Sequence, residues 1–175
     1  VIVLTVWHGG LAYGGAMSAE SQPKLLFQTR ATAHGGRAGY IESPDHHLAV
    51  KLSVPQEIGG DGGVGTNPEQ LLAAGYAACF QSAIGVVARR DKVSFGSSRV
   101  TGIVGLRSDD LGYVLEIELQ IVLPGLSPEQ ARHMVDEAHK VCPYSRALRG
   151  DVTVRLTVVE EQEPAQGQAE TAAVR

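Results

Sequence analysis

The sequence predicts an α+β domain with largely antiparallel sheets and a central buried helix. Stretches that alternate apolar and polar residues occur before, between and after two helical stretches. Each helical stretch opens on a capping signature. The chain has 175 residues, 43% hydrophobic and 19% charged, enough to enclose one core without a covalent staple.

Residues 1–22 show no sustained period and read as a loose extension, and 160–175 are polar and read as a disordered tail. The organised domain is expected over 23–159. A strand is expected over 25–33, a turn at His34-Gly35-Gly36, a second strand over 37–43 and a third over 48–54, where Leu48, Val50, Leu52 and Val54 alternate with smaller or polar residues. A glycine-rich loop, 55–66, follows. Asn67 can cap a helix, Pro68 suits its first position and Gln70 can complete a capping box. This helix extends to about Arg90 and is apolar nearly all round, so it is expected at the centre of the core. A strand over 97–107 and a turn at 109–112 come next. In 113–123, Tyr113, Leu115, Ile117, Leu119, Ile121 and Leu123 alternate with a mostly polar set. Ser127-Pro128-Glu129-Gln130 starts a second helix, and Pro143 interrupts it. A short helical piece over 143–149 leads to a last strand around Val152, Val154, Leu156 and Val158.

Composition excludes several classes. The formal net charge is −4 and no basic patch is visible, which argues against a nucleic-acid partner. The apolar run 71–88 is long enough to raise a membrane question, but it contains Gln81 and Ser82 and ends at Arg89-Arg90-Asp91. A core helix is the better reading. No signal peptide is read in the apolar start, so a cytoplasmic, reducing compartment is expected. The histidines lack metal-ligand spacing, and no metal is expected. The glycine loop lacks the Lys-Ser/Thr of a phosphate cradle and reads as a mobile loop, a candidate lid. Glu116 and Glu118 share one strand face as solvated charges.

Two cysteines remain, Cys79 inside the apolar helix and Cys142 at the helix break beside Pro143. By position alone Cys79 reads as packing, and Cys142 as the more conspicuous thiol. Peroxide chemistry by a thiol requires a thiolate, a cation to stabilise it, a carboxylate to hold that cation and a second thiol to resolve the sulfenic acid.

Three segments carry a family resemblance: Ala33-His-Gly-Gly-Arg37-Ala-Gly-Tyr-Ile-Glu-Ser43, Gly65-Thr-Asn-Pro-Glu69-Gln-Leu-Leu-Ala-Ala-Gly-Tyr76-Ala-Ala-Cys79-Phe80, and Val141-Cys142-Pro143-Tyr144-Ser145. In this order they resemble the organic hydroperoxide resistance branch of the family that includes the osmotically inducible protein C. The likeness covers about 25–159, and Leu72 stands where the branch commonly has Phe. The resemblance implies an intertwined homodimer of OsmC-like fold, with active sites at the subunit interface. It implies a peroxidatic Cys79, a resolving Cys142, an Arg37 that stabilises thiolate and peroxide, and a Glu69 that orients Arg37. The expected substrates are organic and fatty-acid hydroperoxides. No bound cofactor is expected. The reductant would be a dihydrolipoyl group, dihydrolipoamide on lipoylated enzyme subunits, recharged by lipoamide dehydrogenase. Tyr76 and Phe80 are expected to offer oily walls to the substrate. The alternatives are a peroxidase of the osmotically inducible branch and a non-enzymatic thiol redox sensor.

One expectation follows from spacing alone. Glu69 and Cys79 are ten positions apart on one helix, about 15 Å along its axis. Glu69 cannot reach the Cys79 sulfur of its own straight helix. Either Arg37 bridges part of the gap, or Glu69 lies near the Cys79 of a second subunit.

Overall fold

The computed structural model describes residues 23–150 and 152–159. The expected N-terminal extension and C-terminal tail lie outside these residues. The chain divides into two units, Val1–Arg30 and Ala31–Arg175. In the first, the described residues 23–30 form neither helix nor strand. The second is an α+β domain, with strands β1 (Thr32–His34), β2 (Tyr40–Glu42) and β3 (Ala49–Lys51), helix α1 (Pro68–Asp91), strands β4 (Arg99–Asp109) and β5 (Gly112–Val122), helices α2 (Pro128–Val141) and α3 (Pro143–Ala147), and strand β6 (Val154–Val158).

The strands form two sheets, ordered β1-β2-β3 and β4-β5-β6. The small sheet is antiparallel and only three residues wide in each strand. Here the structure corrects the sequence reading. The expected strand over 25–33 contributes only its last residues, and Arg37 is not in a strand. Gly35 and Gly36 take left-handed backbone, φ 72° and 59°, and turn the chain into a single 3₁₀ turn, Gly36–Ala38, with Arg37 at its centre. The glycine loop is also pinned rather than free. Gly60 and Gly62 donate their backbone N–H groups to Pro55 and Val54, and Leu52 bridges Thr66. These contacts hold the loop on its own stem, beside the start of α1.

In the large sheet β4 and β5 form a long antiparallel hairpin, Arg99 opposite Val122 through Asp109 opposite Gly112. β6 joins β5 in parallel after the crossover through α2 and α3. The inner residues Ile117, Leu119 and Ile121 are fully covered. On the outer face Glu116 and Glu118 pair with Arg107 and Arg155, as expected of solvated strand charges.

α1 and α2 pack on the inner face of this sheet. α1 starts as expected, with the Asn67 side chain accepting from the Gln70 N–H. The box is not closed, because the Gln70 side-chain Oε1 accepts from the Thr66 hydroxyl instead. α2 has the full reciprocal box between Ser127 and Gln130. A second correction concerns the burial of α1. Only Tyr76, Phe80, Ala83, Ile84 and Val87 are buried, one face of the rod. Ala74, Ala78, Gln81, Ser82 and Val86 on other faces are exposed. The helix is long and apolar enough by composition to cross a membrane, and one face of it sits in this core. Its C-terminal turn is clamped to α2 by Arg90, which bonds Asp91 and Glu137.

Two contacts set the position of α1. At Gly102 in β4, an added Cβ would lie 2.4 Å from the Ala73 carbonyl oxygen, so the backbones meet directly there. At α3, the hydroxyls of Tyr76 and Ser145 share a buried hydrogen bond of 2.9 Å. Gly102→Ala is expected to cost about 1–3 kcal/mol, since neither backbone can give way. Ser145→Ala is expected to cost about 1–3 kcal/mol by stranding the Tyr76 hydroxyl in the core. Adding Tyr76→Phe to that variant should recover most of the loss. Urea unfolding of the wild type, these variants and Tyr76→Phe alone measures all of this, and additive losses in the double variant would refute the assigned role of the bond.

Candidate active site

Cys79 lies in the fourth turn of α1, one residue before the buried Phe80 and three after the buried Tyr76, so it sits at the edge of the core face. Cys142 occupies the joint between two helices, C-cap of α2 and N-cap of α3. Tyr76 and Cys79 on α1 face Ser145 and Cys142 around α3, each pair separated by three residues. The hydroxyl pair therefore holds the thiol pair in register. The two sulfurs are 3.6 Å apart, within hydrogen-bonding distance, and both cysteines are free.

The exposure of the two cysteines is the reverse of what their sequence context suggests. Cys142, conspicuous beside a proline, is wholly buried at 0% exposure. Cys79, deep in an apolar run, is only partly buried. The proline ends α2 with Cys142 beneath the crossover, while the one-sided burial of α1 leaves Cys79 at the border of solvent.

Arg37 and Glu69 form a fork-to-fork pair. Nη2 donates to Oε1 at 2.6 Å and Nη1 to Oε2 at 2.9 Å. The Arg37 side chain is 39% exposed and that of Glu69 14%. The guanidinium holds the Glu69 carboxyl below its ordinary range, against the opposing effect of partial burial. Glu69 also lines a groove of about 540 Å³ with Ile58, Ala73, Ile103 and Leu106 among its walls.

The thiol pair and the ion pair are separate within the chain. Burial pushes the Cys79 thiol above its ordinary range, the Tyr144 backbone N–H pulls it down, and Cys142 adds to the rise. Arg37 is not among the groups that act on it. The ten-residue separation along α1 persists in the fold, because α1 is one unbroken helix and Arg37 is paired with Glu69 near its start.

Tyr76 and Phe80 require a correction. Both are 0% exposed, with their rings 6.4 Å apart inside the core. They stiffen the wall behind the thiols and present no surface to a substrate. Tyr144, which the sequence reading passed over, is the partly exposed aromatic beside Cys79. Its signal was its place: second in a helix that begins at Pro143, where backbone N–H groups lack intrahelical partners. Among the described residues no three His, Cys, Asp or Glu side chains are grouped as a metal ion would require.

Known proteins share this arrangement of sequence and fold. The OsmC-like protein family matches residues 59–157. The organic hydroperoxide resistance protein of Xanthomonas axonopodis pv. citri (strain 306) is 48% identical over 139 residues, 79% of this chain and 98% of that protein. Organic hydroperoxide resistance protein OhrB of Bacillus subtilis (strain 168) is 43% identical over 133 residues, 75% of this chain and 96% of that one. Among solved structures, an organic hydroperoxide resistance protein OsmC from Legionella pneumophila superposes with a TM-score of 0.74 at 47% identity, covering 77% of this chain and 98% of its own. A putative organic hydroperoxide resistance protein from Vibrio cholerae, with captopril bound in one of the active sites, gives 0.73 at 45% identity, covering 79% and 95%. The chain belongs to the OsmC/Ohr family, among its organic hydroperoxide resistance proteins.

Proposed function

We propose that this protein is a cysteine peroxidase that reduces organic and fatty-acid hydroperoxides to alcohols and is recharged by a dihydrolipoyl group. The observation that carries the reading is the 3.6 Å approach of the sulfurs of two free cysteines, one at the solvent border and one sealed in the core. The Cys79 thiolate attacks the terminal oxygen of ROOH. An S–O bond forms, the O–O bond breaks, and the alkoxide takes a proton and leaves as ROH. The Cys142 thiol then attacks the Cys79 sulfur; the S–S bond forms, the S–O bond breaks, and the thiol proton passes to the departing hydroxide, which leaves as water. A dithiol gives two electrons and two protons to the disulfide and becomes a disulfide itself, restoring both thiols. The short reach of Cys142 favours closure over further oxidation of Cys79.

Burial raises the Cys79 thiol, so the reaction needs a cation, and Arg37 of the same chain is engaged by Glu69 ten residues up the helix. In this proposal the protein is a homodimer in which Arg37 and Glu69 of one subunit serve Cys79 of the other. The exposed small-residue and apolar positions of α1, including Ala74, Ala78 and Val86, support such an interface. The apolar groove beside Glu69 favours an alkyl hydroperoxide over hydrogen peroxide. Captopril, itself a thiol, bound in an active site of the Vibrio cholerae relative, is in keeping with a dithiol reductant. The reducing cytoplasm suits a pair that must return to the thiol form.

One equivalent of cumene hydroperoxide should remove two hydrogens from the wild-type mass by disulfide formation. In Cys142→Ser it should add one oxygen at Cys79. A wild-type protein that gains oxygen without a disulfide would overturn the resolving role. Sustained turnover with dihydrolipoamide is expected, whereas a sensor would react once and stop. Arg37→Ala and Cys79→Ser should each abolish turnover while remaining folded. Mixed and reassociated, they should regain about a quarter of wild-type activity, since half the random dimers hold one complete site in two. No recovery in a demonstrated mixed dimer would refute the shared site.

A further inference from the structure

Resting on that reading, we propose that Tyr144 is the specificity residue of the site, its ring the wall against which the alkyl group of the hydroperoxide packs at Cys79. The ring lies across α1 at Gly75. An added Cβ there would meet the phenolic oxygen at 3.0 Å and the nearest ring carbon at 3.3 Å, so the absence of a side chain makes the seat. Gly75 and Cys79 are four residues apart and thus neighbours on one face of α1. The seat is one helical turn from the reacting sulfur.

The ring is backed by Tyr76, with centroids 5.7 Å apart and planes tilted by 54°. Tyr76 is itself fixed by its hydroxyl bond to Ser145. Tyr144 is 39% exposed while Tyr76 and Phe80 are wholly covered. It therefore presents an aromatic face beside Cys79 where the two buried rings cannot. The Tyr144 backbone N–H also acts on the Cys79 sulfur. One residue thus favours the Cys79 thiolate through its main chain and offers its ring to the substrate. Its phenolic oxygen forms none of the protein hydrogen bonds found among the described residues, so the ring face and not the hydroxyl carries the role.

Steady-state kinetics with cumene hydroperoxide and hydrogen peroxide test this in Tyr144→Ala, Tyr144→Phe and Gly75→Ala. In Tyr144→Ala the preference for cumene hydroperoxide, as the ratio of kcat/KM values, should fall about tenfold, the scale of a lost aromatic contact. The loss should appear in KM more than in kcat. Tyr144→Phe should restore the preference. Gly75→Ala, which unseats the ring while leaving residue 144 intact, should lower it as Tyr144→Ala does. The pH midpoint for alkylation of Cys79 should stay in place in Tyr144→Ala, because the backbone N–H remains, and disulfide formation on one equivalent of peroxide reports an intact fold. An unchanged preference in Tyr144→Ala, or an equal loss on both peroxides, overturns the proposal and leaves the peroxidase reading standing. Wild type without organic hydroperoxide turnover overturns both.

Discussion

A rigid rod fixes the distance between the two halves of the chemistry. α1 carries Glu69 in its first turn and Cys79 two to three turns later, and a helix cannot shorten that interval without breaking its hydrogen bonds. The Arg37–Glu69 fork gathers at one end of the rod and the thiols near its middle. Each half is well formed by itself. The ion pair has full bidentate geometry, and the two sulfurs are 3.6 Å apart. A fold that builds both halves and holds them apart in one chain is intelligible when completion is left to a second copy.

The thiol half shows how buried polar groups can serve positioning. α3 is a helix of five residues, too short to hold its own place. Its docking depends on Ser145, covered and bonded to an equally covered tyrosine hydroxyl, with Cys142 three residues before it. Sealing Cys142 in the core also separates the two thiols in role. In the proposed reaction an external oxidant meets the partly exposed Cys79 first, and the covered Cys142 acts by way of it.

What could be read from the sequence was what local rules decide. The Ser127–Gln130 box, the start of α1 at Asn67 and the alternation in β5 were all found within a residue or two. The interval between Glu69 and Cys79 was legible by arithmetic once a single helix was recognised. The N-terminal strands were overdrawn, because three-residue ladders owe their length to the glycine turn and their pairing rather than to their own residues. The relative exposure of the two cysteines was misread for a related reason. Which face of α1 is buried depends on Gly102 and α3, far along the chain, and nearly uniform apolarity hides the choice. The seat for Tyr144 at Gly75 was invisible, since it exists only when α3 lies across α1.

β6 enters the large sheet in parallel beside β5, after both helices of the crossover. The hairpin of β4 and β5 can close from its own turn, but its third strand must return from the far end of the domain. Cys142 lies within that return path. The two sulfurs therefore meet only where the crossover is packed against α1. During synthesis Cys79 leaves the ribosome well before its partner. An oxidant that finds it then meets a lone thiol with no neighbour to close upon. Dependable chemistry begins only with completion of the fold.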